Sequence, residues 1–208
     1  MSGGMADPGE PRLIGESDDL IVVDKPAGWV VHATREEELW DLRRWLAQRG
    51  HADMAPLHRL DRGASGAVLF SGIPAVRKAI GKEFAEGLVH KRYVALVFGR
   101  THRKGIVRLG VDGRAAVTRY RLLEGLGGFS WLGIRPETGR KHQIRRHLHG
   151  IGHPIVGDGR YRPVGFQRVP AFPNRLCLHA ERIELRDGRV FEAPLPEELA
   201  RCREALRG

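Results

Sequence analysis

Short apolar runs separated by glycine-bearing turns fill the middle of this chain, and they restrict it to a largely antiparallel sheet. Residues 93–98, 106–109, 116–123 and 129–134 are each strand-sized, and no helix-length periodic segment separates the last three. A parallel pair needs a crossover of about a dozen residues or more between its strands, so regular βαβ alternation is excluded and a meander is expected. Residues 20–24, stopped by Pro26 and Gly28, predict a strand, a turn and a second strand over 29–32. Further strands are predicted at 66–70, 176–179, 182–185 and 189–192.

Helices announce themselves by apolar residues three and four apart. Leu39, Leu42 and Leu46 mark one over 36–48, and Val76, Ile80 and Phe84 mark another between Pro74 and Gly87. Ile144, Leu148 and Ile151 form the apolar side of a basic helix expected to begin at Thr138, a capping residue, and to end at Gly150 or Gly152. A closing helix is expected over 197–206. The sum is an α+β fold, a mostly antiparallel mixed sheet with helices packed on it.

The chain has 208 residues, enough for one core. Residues 1–11 offer nothing apolar as an anchor and are expected to be a flexible tail, with 12–208 a single domain. Residues 159–174, rich in Pro, Arg and aromatics, predict a long surface loop. Hydrophobic residues make up 41%, sufficient for a packed body rather than a disordered one. The 35 Lys and Arg against 25 Asp and Glu leave a formal charge of +10, which favours a polyanionic partner. Cys177 and Cys202 form no Cys-x-x-Cys pair, and no secretory leader is evident; both facts fit a reducing cytoplasm. No apolar run approaches the ~18–20 residues that cross a bilayer.

Three places combine ionisable groups with glycine in ways that packing does not require. In His58-Arg59-Leu60-Asp61-Arg62-Gly63, a carboxylate lies between two arginines, which favours its anionic form. In Lys91-Arg92-Tyr93, an aromatic on a strand is flanked by cations, a platform on which a nucleobase could stack. The stretch from Glu137 to His147 holds Arg140, Lys141, His142, Ile144 and Arg145, the densest basic cluster in the chain and suited to phosphate. Each has a plainer reading: a surface ion pair, a core tyrosine, a solvated helix face.

Other chemistries fail on spacing. A kinase catalytic loop is excluded because Leu60 interrupts His-Arg-Asp and no Asp-Phe-Gly follows. The histidines at 142, 147, 149 and 153 lack the glutamate that a zincin needs, and no metal is expected. The glycine clusters at 125–128 and 157–159 do not have dinucleotide-loop spacing. No cofactor is expected.

Lys25-Pro-Ala-Gly-Trp-Val-Val-His32, His58-Arg-Leu-Asp61 with Ser65-Gly66, Lys91-Arg-Tyr93, and Thr138-Gly-Arg-Lys-His-Gln-Ile-Arg145, in that order, resemble the RluA-type pseudouridine synthases over about residues 15–192. The resemblance implies that fold, an isomerase acting on a uridine in structured RNA, and no cofactor. It implies that Asp61 is the catalytic carboxylate, Tyr93 the aromatic against the target base, Arg145 the partner of Asp61, and Arg59 the residue entering the RNA stack. Arg62, Arg140, Lys141, His142 and Ile144 are expected to contact RNA. Gly28-Trp29, Arg145 to Leu148 and His153 to Asp158 look most like the tRNA pseudouridine synthase C branch, which would make a T-stem uridine the target. Large-subunit rRNA is the alternative substrate, and a non-catalytic RNA-binding protein the remote one. Neither a separate S4 module nor an obligate protein partner is expected, and the chain is taken as a monomer.

Overall fold

The computed structural model describes residues 8–33, 40–162 and 169–207. Within them lie ten strands and four helices around one mixed, mostly antiparallel sheet. The strands are β1 (Arg12–Glu16), β2 (Ile21–Lys25), β3 (Ala55–Pro56), β4 (Ser65–Ser71), β5 (His90–Phe98), β6 (Lys104–Val107), β7 (Thr118–Leu126), β8 (Phe129–Pro136), β9 (Leu178–Glu184) and β10 (Val190–Glu192). The helices are α1 (Leu42–Ala47), α2 (Pro74–Glu86), α3 (Gln143–Gly150) and α4 (Glu197–Ala205). The sheet runs β1-β2-β4-β9-β5-β8-β7-β6, with β3 beside β4 and β10 beside β9.

Two antiparallel halves meet at one parallel seam, where β4 pairs with β9 through only Ser65 with His179 and Gly66 with Ala180. In the first half, β2 and β4 carry apolar side chains on both faces because both are covered. Val22 and Leu69 join Ile80 of α2 on one side, while Ile21, Val23, Val68 and Phe70 join Leu42, Trp45 and Leu46 of α1 on the other. The second half, the expected meander, packs Leu96, Trp131, Leu132 and Ile134 with Ile144 and Leu148 of α3 and Leu199 of α4. Leu60 touches the core of each half and so pins the segment that carries Asp61 at the seam.

Several expected boundaries move, each for a local reason. Residues 29–32 make no strand: Val30 forms a single bridge to Asp41, which keeps the chain extended there. The first helix therefore starts only at Leu42, with the Asp41 side chain accepting from the Arg43 (2.7 Å) and Arg44 (3.2 Å) amides. Leu39 and the expected helix start at 36 lie outside the described residues. The basic helix begins at Gln143, not Thr138. Thr138 Oγ1 accepts from the Val117 amide (3.1 Å) and donates to Gln143 Oε1 (2.6 Å), so it ties the segment to the start of β7 instead of capping.

The segments 176–179 and 182–185 are one strand, β9. β1 went unforeseen because an exposed edge strand with a bulge after Leu13 has no clean alternation. The anchored chain also begins earlier than residue 12. Trp29 Nε1 donates to the Gly9 carbonyl (2.9 Å), and Glu10 pairs with Arg49. Residues 1–7 of the expected tail, and 163–168 of the expected loop, lie outside the described residues.

Gly66 makes the seam possible. Its φ is +120°, and a Cβ there would sit 2.2 Å from the Ala180 carbonyl oxygen, so backbone would have to move. Gly66→Ala is expected to lower the unfolding free energy by about 3 kcal/mol or more, measured by guanidinium denaturation; a loss below ~1 kcal/mol would mean that the seam is not tight.

Candidate active site

Asp61 sits in the turn that leads into β4, and its surroundings are built to keep that turn still. The Asp61 carbonyl accepts from the Ala64 amide (3.1 Å). Behind it, the fully buried Lys25 ammonium donates to four carbonyls: Ala64 (2.6 Å), Trp29 (2.8 Å), Pro26 (3.1 Å) and Arg62 (3.2 Å). Burial pushes the Lys25 pKa down to about 7, Arg175 adds to that, and the Asp61 charge opposes it. His58 Nε2 accepts from the Leu69 amide (3.1 Å), and its ring lies 4.9 Å from that of Phe84. Burial, helped by Lys91, lowers its pKa to about 3, so His58 is a neutral strut.

The guanidinium against Asp61 comes from α3, not from its chain neighbours. Arg145 Nη1 donates to Asp61 Oδ2 at 2.9 Å. The same guanidinium grips Asp158 with two more bonds, Nε to Oδ2 at 2.7 Å and Nη2 to Oδ1 at 2.8 Å. Asp158 has a fully buried side chain and also accepts from the amides of Arg160 (2.9 Å) and Tyr161 (3.0 Å). Burial works against the Arg145 charge, but the two carboxylates more than compensate and raise its pKa. Asp158 shows the converse: burial alone would raise its pKa, and Arg145 with the two amides brings it below the usual value.

Arg62 instead turns away, its Nε donating to the Gly28 carbonyl (3.0 Å), and Arg59 is exposed at the mouth of the site. The expected sandwich of Asp61 between Arg59 and Arg62 is thus corrected: neighbours in sequence around a tight turn point in different directions. Ile144 is 7% exposed and part of the core, and it lines the cavity as an apolar wall. Arg140 and Lys141 precede the helix rather than lying in its first turn, and both are exposed.

His142 caps α3 with φ +55°, a conformation that a non-glycine side chain seldom takes. Its Nε2 comes within 3.8 Å of Asp61 Oδ1, and its Nδ1 is 3.2 Å from the Tyr161 hydroxyl. Burial lowers its pKa against the pull of Asp61. Tyr93 of β5 is 8% exposed; burial and then the Asp61 charge drive its phenol pKa upward. Asp61, Tyr93, His142, Ile144, Arg145 and Leu178 all line one cavity of about 780 Å³, with Arg59, Arg140 and Lys141 around it. It opens between the two halves of the sheet.

The motifs therefore led to Asp61, Tyr93 and Arg145, which share the cavity. They missed Lys25 and Asp158 as the groups that hold the turn and the arginine. Asp158 closes the motif run from His153 and follows Gly157, whose φ of +77° and close approach to the Arg175 carbonyl admit no side chain. Among the described residues, no three or more His, Cys, Asp or Glu gather as a metal site, and no helix is long and apolar enough to cross a membrane.

The site is thus a carboxylate gripped by arginine beside an aromatic wall, in a cleft with a basic mouth. The sequence profile described as RNA pseudouridylate synthase matches residues 19–150, and the chain belongs to that family of isomerases. Relatives include the ribosomal large subunit pseudouridine synthase D of Nitrosomonas europaea, 33% identical over 94% of this chain and 65% of that one. The ribosomal large subunit pseudouridine synthase C of Escherichia coli is 32% identical over 94% and 70%. The chain thus spans about two thirds of the length of these relatives. Human RNA pseudouridylate synthase domain containing 4 shares the fold, with a TM-score of 0.79 at 23% identity over 94% of this chain and 92% of that one. Human RNA pseudouridylate synthase domain containing 1 gives 0.75 at 25% over 94% and 90%.

The Asp158 clamp has a pH signature. With a folded pKa below its ordinary 3.8, Asp158 holds fewer protons folded than unfolded just under pH 4. Its contribution is complete above about pH 4 and drains away as pH falls through the folded value. Asp158→Asn should cost about 3 kcal/mol at pH 7 and flatten the acid limb of stability, read by urea unfolding between pH 7 and pH 3. An unchanged acid limb would refute this account.

Proposed function

We propose that this chain is an RNA pseudouridine synthase, with Asp61 as the reactive carboxylate and large-subunit ribosomal RNA as its substrate. The observation that carries the reading is the Asp61–Arg145 ion pair inside a cavity with an aromatic wall. Uridine isomerisation breaks the bond from ribose C1′ to N1, turns the base, and forms the bond from C1′ to C5. The proton on C5 leaves and N1 gains one. No group or electron enters, so the requirements are an anion at the sugar, a proton acceptor and donor, and walls that retain the detached base.

Asp61 supplies the anion, held toward the cavity by Arg145, which is itself fixed by Asp158. Tyr93, Ile144 and Leu178 supply the walls. His142, next to Asp61 and in contact with Tyr161, is suited to carry the proton between C5 and N1. A base-paired uridine must first leave its helix, at a cost of a few kcal/mol. Stacking on Tyr93 and entry of the exposed Arg59 into the vacated place offset that cost, while Arg140 and Lys141 hold phosphate. The names of the relatives favour ribosomal RNA over the T-stem of tRNA, so the motif-based expectation of a tRNA target is set aside.

Asp61→Asn is expected to abolish tritium release from RNA labelled at uridine C5 while binding that RNA within about two-fold of the parent. Persistent turnover would mean that Asp61 is not the reactive carboxylate. Large-subunit rRNA and tRNA transcripts assayed side by side separate the two substrates. At Tyr93, stacking predicts that alanine reduces turnover at least ten-fold more than phenylalanine does. Equal losses in single-turnover assays would mean that the hydroxyl, not the ring, matters.

A further inference from the structure

On the strands of the second half, one row of side chains is arginine four times over. Arg182 of β9 is opposite Arg92 of β5, and Arg135 of β8 is opposite Arg119 of β7. Because Tyr93 faces Ile134, Arg92 and Arg135 are neighbours as well. Adjacent strands lie about 4.8 Å apart, so four guanidinium stems stand within roughly 15 Å. Like charges directly opposite one another weaken a sheet, and carboxylates offset this at Arg92, Arg119 and Arg182 but not at Arg135.

These arginines line a groove of about 850 Å³ together with Lys91 and Arg121. Glu181 and Glu184 line the groove as well, and Glu137 and Glu192 also pair with arginines of the row. Arg92 is paired with Glu181 at 2.5 Å and Arg182 with both Glu192 at 2.8 Å and Glu184 at 3.2 Å, whereas Arg121 has no ion-pair partner among the described residues. Among the described residues, Arg135 reaches only His90 Nδ1, at 2.7 Å. The groove also adjoins the Asp61 cavity: Lys91 lines both, and Glu137, which lines that cavity, is paired with Arg119 of the row.

We propose that this arginine row is a second docking surface, which tracks the sugar–phosphate backbone of the RNA arm leaving the catalytic cleft. The inference rests on the reading of the chain as an RNA-modifying enzyme and adds where the rest of the substrate lies. Arginines spaced along a sheet face meet successive phosphates without reading bases, so the surface extends affinity and not sequence choice. An acidic protein is the competing occupant.

The test uses the full chain and a double variant, Arg121→Gln with Arg135→Gln, both exposed and outside the Asp61 cavity. Fluorescence anisotropy would follow binding to two transcribed RNA hairpins, one of about 10 base pairs and one of about 30, across a salt series. The long hairpin should bind the variant about ten-fold more weakly, with a slope of log K against log salt shallower by about 1 to 2. The short hairpin should bind as before, and the thermal midpoint should be unchanged. No change with the long hairpin, or equal loss with both, would overturn the proposal. So would polyglutamate displacing the long hairpin as well as unlabelled RNA does at equal charge. A parent chain that forms no pseudouridine in any RNA would sink the proposed function yet leave this comparison of affinities readable.

Discussion

Arg145 stands between two carboxylates, and the asymmetry of its grip organises the site. Two of its bonds go to a buried Asp158 that cannot reach solvent, and one goes to Asp61, which is partly exposed. A planar guanidinium held by a fork has no freedom left to wander, so its remaining N–H group aims at a fixed point in the cavity. A lysine could carry the same charge but not this division of labour. The buried carboxylate fixes the cation, and the cation presents a charge-assisted hydrogen bond to the exposed one.

The rest of the fold brings those parts together. Asp61 belongs to the half of the sheet built from β1 to β4, and Arg145 to the half built from β5 to β9. The halves are stitched by the two-residue seam, by Ser65 against His179 (2.8 Å), and by Arg175 reaching both Ser65 (2.7 Å) and Glu198 of α4 (2.8 Å). His179 also contacts the Ala193 carbonyl through Nε2 (3.2 Å), and burial lowers its pKa, so this Ser–His pair is neutral and structural. A cleft follows because two strands diverge on leaving so short a seam, and the Asp61 turn lies at that divergence.

Much of this was legible in the sequence, since strand-sized runs and turn glycines are local signals. The meander, α2 and the closing helix follow from periodicity, and Asp61, Tyr93 and Arg145 from the ordered motifs that carry the family resemblance. What could not be read was decided by contacts distant along the chain. Thr138 has the chemistry of a cap, but its hydroxyl is engaged by Val117 and Gln143, so the helix starts five residues later. Arg59 and Arg62 look locally like the partners of Asp61, yet the turn directs them elsewhere; that the partner lies 84 residues away came from the motif resemblance and not from local spacing. Lys25, in an apolar strand, gives no hint that four carbonyls await it.

That separation of 84 residues has a kinetic side. Loop closure over such a distance is an entropic barrier crossed only when both cores offer packing in return. An emerging chain therefore presents the Asp61 turn well before the guanidinium that pairs with it exists. The cleft is complete only once both halves of the sheet have packed, because its two charged partners come from opposite sides of the seam.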